Sequence, residues 1–105
     1  MSEPVVVVAS LWVRPGRLAE FEAYERKAAR ILDRYGASIE RTVRFGAADA
    51  PTEIHVVHFP SLATFEAYRN DAELKALAEE RAAAIEKTSI AVGEPGPGYG
   101  PVGHG

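Results

Sequence analysis

From Val5 to Val13 the chain reads VVVVASLWV, almost unbroken apolar and rich in β-branched side chains. Such a run predicts a central strand buried on both faces. Arg14, Pro15 and Gly16 interrupt it, and Pro15 suits a first helical turn, where a missing N–H costs nothing. Leu18, Phe21, Ala28, Leu32 and Tyr35 then recur at helical spacing, flanked by Tyr24 and Ile31, while Glu20, Arg26, Lys27 and Arg34 fall between them. The pattern predicts an amphipathic helix stopped by Gly36, because glycine enters the left-handed conformation cheaply. Ser38 to Phe45 (SIERTVRF) alternates apolar with charged positions, which predicts an edge strand with one wetter face. The turn-rich loop from Gly46 to Thr52 suits an antiparallel return into Glu53 to Phe59 (EIHVVHF), an apolar strand carrying two histidines.

After Pro60, Ser61 can cap a helix with Leu62, Phe65 and Tyr68 on one side. Asn70 and Asp71 form a second capping signal, so the helical pattern that continues through Leu74, Leu77, Arg81 and Ile85 is expected to break or kink near Asn70. Thr88 to Val92 (TSIAV) reads as a short final strand. The glycine and proline tail from Gly93 onward (GEPGPGYGPVGHG) cannot form regular structure, which divides the chain into one domain over residues 1–93 and a tail over 94–105.

The element order is therefore β-α-β-β-α-β. Two β-α-β units with right-handed crossovers combine most simply into an α+β fold, a four-stranded antiparallel sheet with the helices on one face. The other face, lined by some of Val5 to Val13 and Glu53 to Phe59, is too apolar to leave bare, so a second copy packed face to face is the expected cover. Length supports this: 105 residues make one small domain, and small domains bury a smaller fraction of their surface than large ones.

Charge and cysteine content narrow the function classes. The net charge is −3, with acidic and basic residues interleaved, whereas a nucleic-acid partner needs a concentrated basic footprint. With no cysteine there are no disulfides, thiolate nucleophiles or sulfur-ligated metals. The apolar run from Val5 to Val13 is too short to cross a bilayer, and Met-Ser-Glu-Pro lacks the basic-then-apolar pattern of a signal peptide. The expectation is a cytoplasmic homodimer that binds neither membrane nor nucleic acid.

Several strings carry a family likeness: Phe21-Glu22-Ala23-Tyr24 in the first helix, Tyr35-Gly36-Ala37 at its end, Glu53 through Ser61, Phe65-Glu66-Ala67-Tyr68-Arg69-Asn70-Asp71, and Arg81. With these the chain resembles the domain of unknown function 1330 family, within the dimeric α+β-barrel superfamily. The resemblance implies a ferredoxin-like fold that dimerises face to face into a barrel. It implies no single reaction, since the wider superfamily includes cofactor-independent quinone-forming monooxygenases, lactone isomerases, polyketide cyclases, haem-degrading and dye-decolourising enzymes, and proteins without known activity. Many relatives carry an acidic residue before the Phe-Pro step, where this chain has His58.

His55 and His58 are the candidate catalytic residues, because histidine can act as acid or base near neutral pH. Three residues apart on a strand they point to opposite faces, one to the helix layer and one to the dimer interior, so they do not share a metal. No metal site is expected. Trp12 shares a face of the first strand with Ser10, and that face is expected to line a cleft beneath the helices. Tyr68, like Tyr24 and Tyr35, carries a hydroxyl able to orient a polar ligand. Arg81 lies on an apolar helical stripe and needs a carboxylate, a carbonyl or an anionic ligand, with Asp71 or Glu22 as internal candidates. Trp12, Tyr68 and Arg81 are the candidate ligand-binding set. Arg41 and Arg44 read as edge-strand charges, and Glu53 beside His55 does not read as a paired-carboxylate site.

These residues support two functions of different class. In the first, an apolar cleft between sheet and helices binds a small, largely apolar organic molecule, with monooxygenase, isomerase or cyclase-type chemistry that uses no resident cofactor. In the second, the chain is a non-catalytic dimeric binding or assembly module, and each histidine and aromatic is a packing residue. Haem held by a histidine is the least supported third reading.

Overall fold

In the computed structural model, which describes residues 3–100, β1 (Val5–Val13) lies between β3 (Glu53–Phe59) and β4 (Ile85–Gly93), antiparallel to both. The other edge is closed by β2 (Ser38–Arg44), antiparallel to β3, giving the order β2-β3-β1-β4. This is the ferredoxin-like α+β arrangement, with β1 central and β2 at an edge as the hydrophobic pattern predicts.

Pairing decides which side chains share a face. Val7, Ala9 and Leu11 of β1 stand opposite Val57, His55 and Glu53 of β3, and opposite Val92, Ile90 and Thr88 of β4. These positions, with the buried Phe59, face the helices. Val6, Val8, Ser10 and Trp12, with Ile54, Val56 and His58, point to the opposite face, because side chains alternate along a strand. The expected placement of Trp12 and Ser10 is thereby corrected: they share a face, but it is the one turned away from the helices. Both faces of Val5 to Val13 are apolar, so the sequence alone left the assignment to parity.

Pro15 does not open a helix. Arg17 N–H donates to the Arg14 carbonyl at 3.0 Å and Gly16 has φ +76°, which makes Pro15 and Gly16 the central pair of a tight turn. Helix α1 (Leu18–Leu32) starts after it, buries Phe21, Tyr24, Ala28, Ile31 and Leu32, and runs into one 3-10 turn, Asp33–Tyr35. Gly36, at φ +66°, ends it as expected.

The second helical region is three pieces: α2 (Leu62–Arg69), α3 (Ala72–Lys75) and α4 (Ala78–Ala84). Ser61 and Thr64 cap α2 reciprocally, each side-chain oxygen accepting the other's backbone N–H at 3.1 Å. Asp71 caps α3 by accepting from the amides of Glu73 at 2.8 Å and Leu74 at 3.1 Å, which produces the expected break at Asn70. A second break falls at Leu77. Ile85 belongs to β4 and not to the helical stripe, because it pairs with Val13 while Arg14 N–H donates to the Ala84 carbonyl at 2.8 Å. The tail expected from residue 94 has no helix or strand over 94–100, and its last five residues lie outside the described residues.

Candidate functional site

The helix-facing side of the sheet carries two separate apolar clusters. One joins Val7, Leu32, Ala37, Val57, Phe59 and Phe65; the other joins Leu11, Phe21, Tyr24, Ala28, Ala84 and Ile85. Ala9 lies between them on the central strand, flanked by His55 on β3 and Ile90 on β4. Above it the helices also present small side chains, Ala28, Ala29 and Ala78, so the layer is not filled and a cleft of about 540 Å³ remains. That volume is within the range of small-molecule sites, about 300–1,000 Å³. Its wall is mostly aliphatic and aromatic, with polar groups from Tyr24, Glu25, His55, Tyr68, Arg69, Lys75, Arg81 and Thr88.

The polar floor is built from β3 outward. His55 is 7% exposed and packs its ring against Phe21, with ring centroids 6.5 Å apart. Its Nε2 lies 2.7 Å from Glu53 Oε1, and its Nδ1 lies 3.5 Å from Glu25 Oε2 on α1. Glu53 is itself buried and held by Arg44, whose Nε and Nη2 donate to Oε2 at 2.8 and 2.6 Å. Arg44 also donates to Glu22 at 3.0 Å. The result is a line of alternating charge capacity, Arg44, Glu53, His55, Glu25, whose last two members reach the cleft.

These contacts assign roles. The Arg44-clamped carboxylate of Glu53 accepts the Nε2–H of His55, which leaves Nδ1 as the imidazole's variable atom, facing Glu25. Burial pushes the Glu25 carboxyl above its usual 4.5, and the negative Glu53 adds to this, while His55 and Arg81 pull against it. The folded chain therefore holds a proton on Glu25 more tightly than a free carboxyl would. Tyr24 and Tyr68 are held in their neutral phenol forms chiefly by burial, and Tyr68 donates its hydroxyl to the Ala28 carbonyl at 3.4 Å.

Of the residues singled out from the sequence, His55, Tyr68 and Arg81 line this one cleft. His58 does not; it points to the opposite face, where its Nε2 pairs with Glu40. Trp12 is on that face too, its ring under the Lys87 ammonium at 4.6 Å from the centroid. Arg81 takes neither internal partner expected for it. Asp71 is occupied by Arg34 and by the Tyr35 hydroxyl at 2.5 Å, Glu22 by Arg44, and Arg81 instead donates to Thr88 Oγ1 at 2.5 Å.

Glu25, Glu53 and Arg44 were not singled out as site residues, and the reading of Glu53 as outside any carboxylate pair is corrected by Glu25 across the ring of His55. A signal existed for both acids. Glu25 is four residues after Phe21 and three before Ala28, inside the apolar stripe of α1, and Glu53 has the strand parity of His55. No comparable signal marked Arg44. The acids and His55 do not converge on a common point, since each ring nitrogen already faces one carboxylate, and no group of three His, Cys, Asp or Glu side chains among the described residues is placed to hold a metal ion.

Comparison with solved structures identifies the fold. The RPA0582 protein of unknown function from Rhodopseudomonas palustris is similar over 93% of this chain and 86% of its own, with TM-score 0.78 and 18% identity. SnoaB, a cofactor-independent oxygenase from Streptomyces nogalater, is similar over 98% of this chain and 100% of its own, with TM-score 0.68 and 14% identity. A dimeric protein of unknown function and ferredoxin-like fold from Bacteroides fragilis is similar over 87% and 95%, with TM-score 0.60 and 12% identity. No curated protein matches the sequence. The family model for the domain of unknown function 1330 matches residues 7–95, and the chain belongs to that family.

Proposed function

We propose that the chain binds a small, largely apolar organic molecule in the cleft over Ala9 and exchanges a proton with it through Glu25 and His55. The observation that carries this is a buried histidine set between two carboxyl groups at the floor of a largely apolar cleft. Glu25 takes the proton of an activated C–H or O–H, leaving the electron pair on the ligand, and His55 Nδ1 accepts that proton in turn. Glu53 then faces an imidazolium and stabilises it, as a buried carboxylate does in other acid–base pairs. Return of the proton at a different atom is an isomerisation; attack of the carbanion on a carbonyl carbon of the same molecule, whose oxygen then takes the proton, is a cyclisation; reaction of the carbanion with dioxygen is an oxygenation, the class to which the cofactor-independent oxygenase of the same fold belongs. None of the three needs a resident cofactor.

The same reading includes a cytoplasmic homodimer without a nucleic-acid partner. Its support is the apolar outer face, where Val6, Val8, Ile54 and Val56 are only half-buried in the single chain, and the dimeric relative of this fold. Among the described residues no helix is long and apolar enough to cross a membrane.

The test is a thermal-shift screen of small aromatic, lactone and quinone-like compounds on wild type, His55→Ala and His58→Ala, since a ligand of the native state raises its apparent stability. A shift lost in His55→Ala and retained in His58→Ala supports the cleft. No shift with any compound, on a protein shown to be folded, contradicts it.

A further inference from the structure

Resting on that reading of the cleft, we propose that its ligand is an organic anion, an apolar body bearing a carboxylate or an equivalent oxyanion, and that Arg81 is the group that binds the charge. Arg81 stands on α4, half-buried and one turn beyond Leu77, and lines the cleft wall. Its recorded partner is a neutral hydroxyl, Thr88 Oγ1, and among the described residues no carboxylate oxygen lies within 4.0 Å of it. Other acids are taken, Asp71 and Glu73 by Arg34, Glu22 and Glu53 by Arg44, Glu80 by Lys27, and Glu25, which shares the cleft wall with Arg81 and feels its charge, faces His55. A guanidinium presents five donors in a planar fork, so most of its hydrogen-bonding capacity is left for whatever enters the cleft.

Thr88 fixes the position of this fork. The Thr88 hydroxyl belongs to β4 and faces the helices opposite Leu11, so the bond ties Arg81 to the sheet and aims it. The other charged groups on the wall add to the same field: Arg69 and Lys75 are cations, and Glu25 is the one acid. A partly desolvated, unpaired cation in an apolar wall is costly in the empty protein and strengthens its pairing with an incoming anion. The apolar body of such a ligand lies over Ala9, and its acidic hydrogen lies towards Glu25 and His55.

The test compares 1-naphthoate with its neutral isostere 1-naphthamide by calorimetric titration at pH 7 on wild type, Arg81→Gln and Arg81→Lys. Wild type is expected to bind the naphthoate about tenfold more tightly than the amide, the size of one charge-assisted hydrogen-bonding site. Arg81→Gln should erase that preference, while Arg81→Lys keeps part of it. Because the central comparison is made on wild type, it stands even where a variant folds poorly. Equal affinities for the two compounds in wild type, or a preference that survives Arg81→Gln in a folded protein, overturn the anion inference while leaving the cleft reading intact. Binding of neither compound overturns both.

Discussion

Glu53 Oε1 lies 2.7 Å from Nε2 of His55, two residues further along the same strand and on the same face of the sheet. Strand parity makes this contact, and Arg44, directly opposite Glu53 on β2, secures the other carboxylate oxygen. Removing the acid leaves Nε2 of the buried imidazole without its partner and Arg44 with Glu22 alone. Glu53→Ala is expected to cost about 2–3 kcal/mol in urea unfolding at pH 7, because it leaves a buried imidazole N–H unsatisfied and breaks a charged hydrogen-bond network. Glu79→Ala, on the exposed side of α4, should stay within about 0.5 kcal/mol of wild type.

The Glu25 carboxyl, raised above 4.5 mainly by burial, makes stability depend on pH in a definite direction. The folded chain holds this proton more tightly than the unfolded chain. Its favourable contribution is therefore complete below pH 4.5 and is lost as pH rises through the folded value. Glu25→Gln cannot ionise, so its urea midpoint should gain on that of wild type as pH is raised from 4.5 to neutrality. Parallel curves for the two proteins would contradict the assignment.

Asp71 works in the opposite sense. The Tyr35 hydroxyl, the amides of Leu74 and Glu73, and Arg34 hold its carboxyl below 3.8. Its stabilisation is present above pH 3.8 and lost as pH falls through the lower folded value. Asp71→Asn should unfold more easily at pH 7 and show a flatter acid limb in a pH series of thermal melts.

The cleft exists because Ala9 is small. Ala9→Leu places a larger side chain into the existing space between the two apolar clusters, so its stability should fall within about 1 kcal/mol of wild type. The ligand-induced thermal shift should disappear. Trp12→Phe, on the opposite face of the same strand, should keep it, and loss of the shift in Trp12→Phe alone would place the site on the wrong side of the sheet.

Much of the fold was legible because the strongest patterns were local. The unbroken runs at Val5 to Val13 and Glu53 to Phe59 mark β1 and β3 with the ends observed, and Gly36 and Asp71 announce a helix stop and a helix start by backbone chemistry alone. What was not legible depended on pairing across distance. The face of Trp12 follows from Ala9 standing opposite His55, which a strand apolar on both faces does not reveal. Ile85 looked helical because the stretch Arg81 to Ile85 has the same spacing either way, and its pairing with Val13 decides for strand. In the site, His55, Tyr68 and Arg81 were readable as chemistry within an apolar pattern. The meeting of Arg44 with Glu53 was not, because a register shift between Ile39 and Arg41 sets which β2 side chains face the helices.

The central claim is that the cleft over Ala9 takes a small organic molecule beside His55, and the histidine ring resonances report on it most directly. In an NMR titration with 2-naphthol, the His55 ring signals, assigned by comparison with His55→Gln, should shift with increasing ligand while those of His58 on the opposite face stay in place. A His55 signal that does not move, or movement confined to His58, would contradict the account.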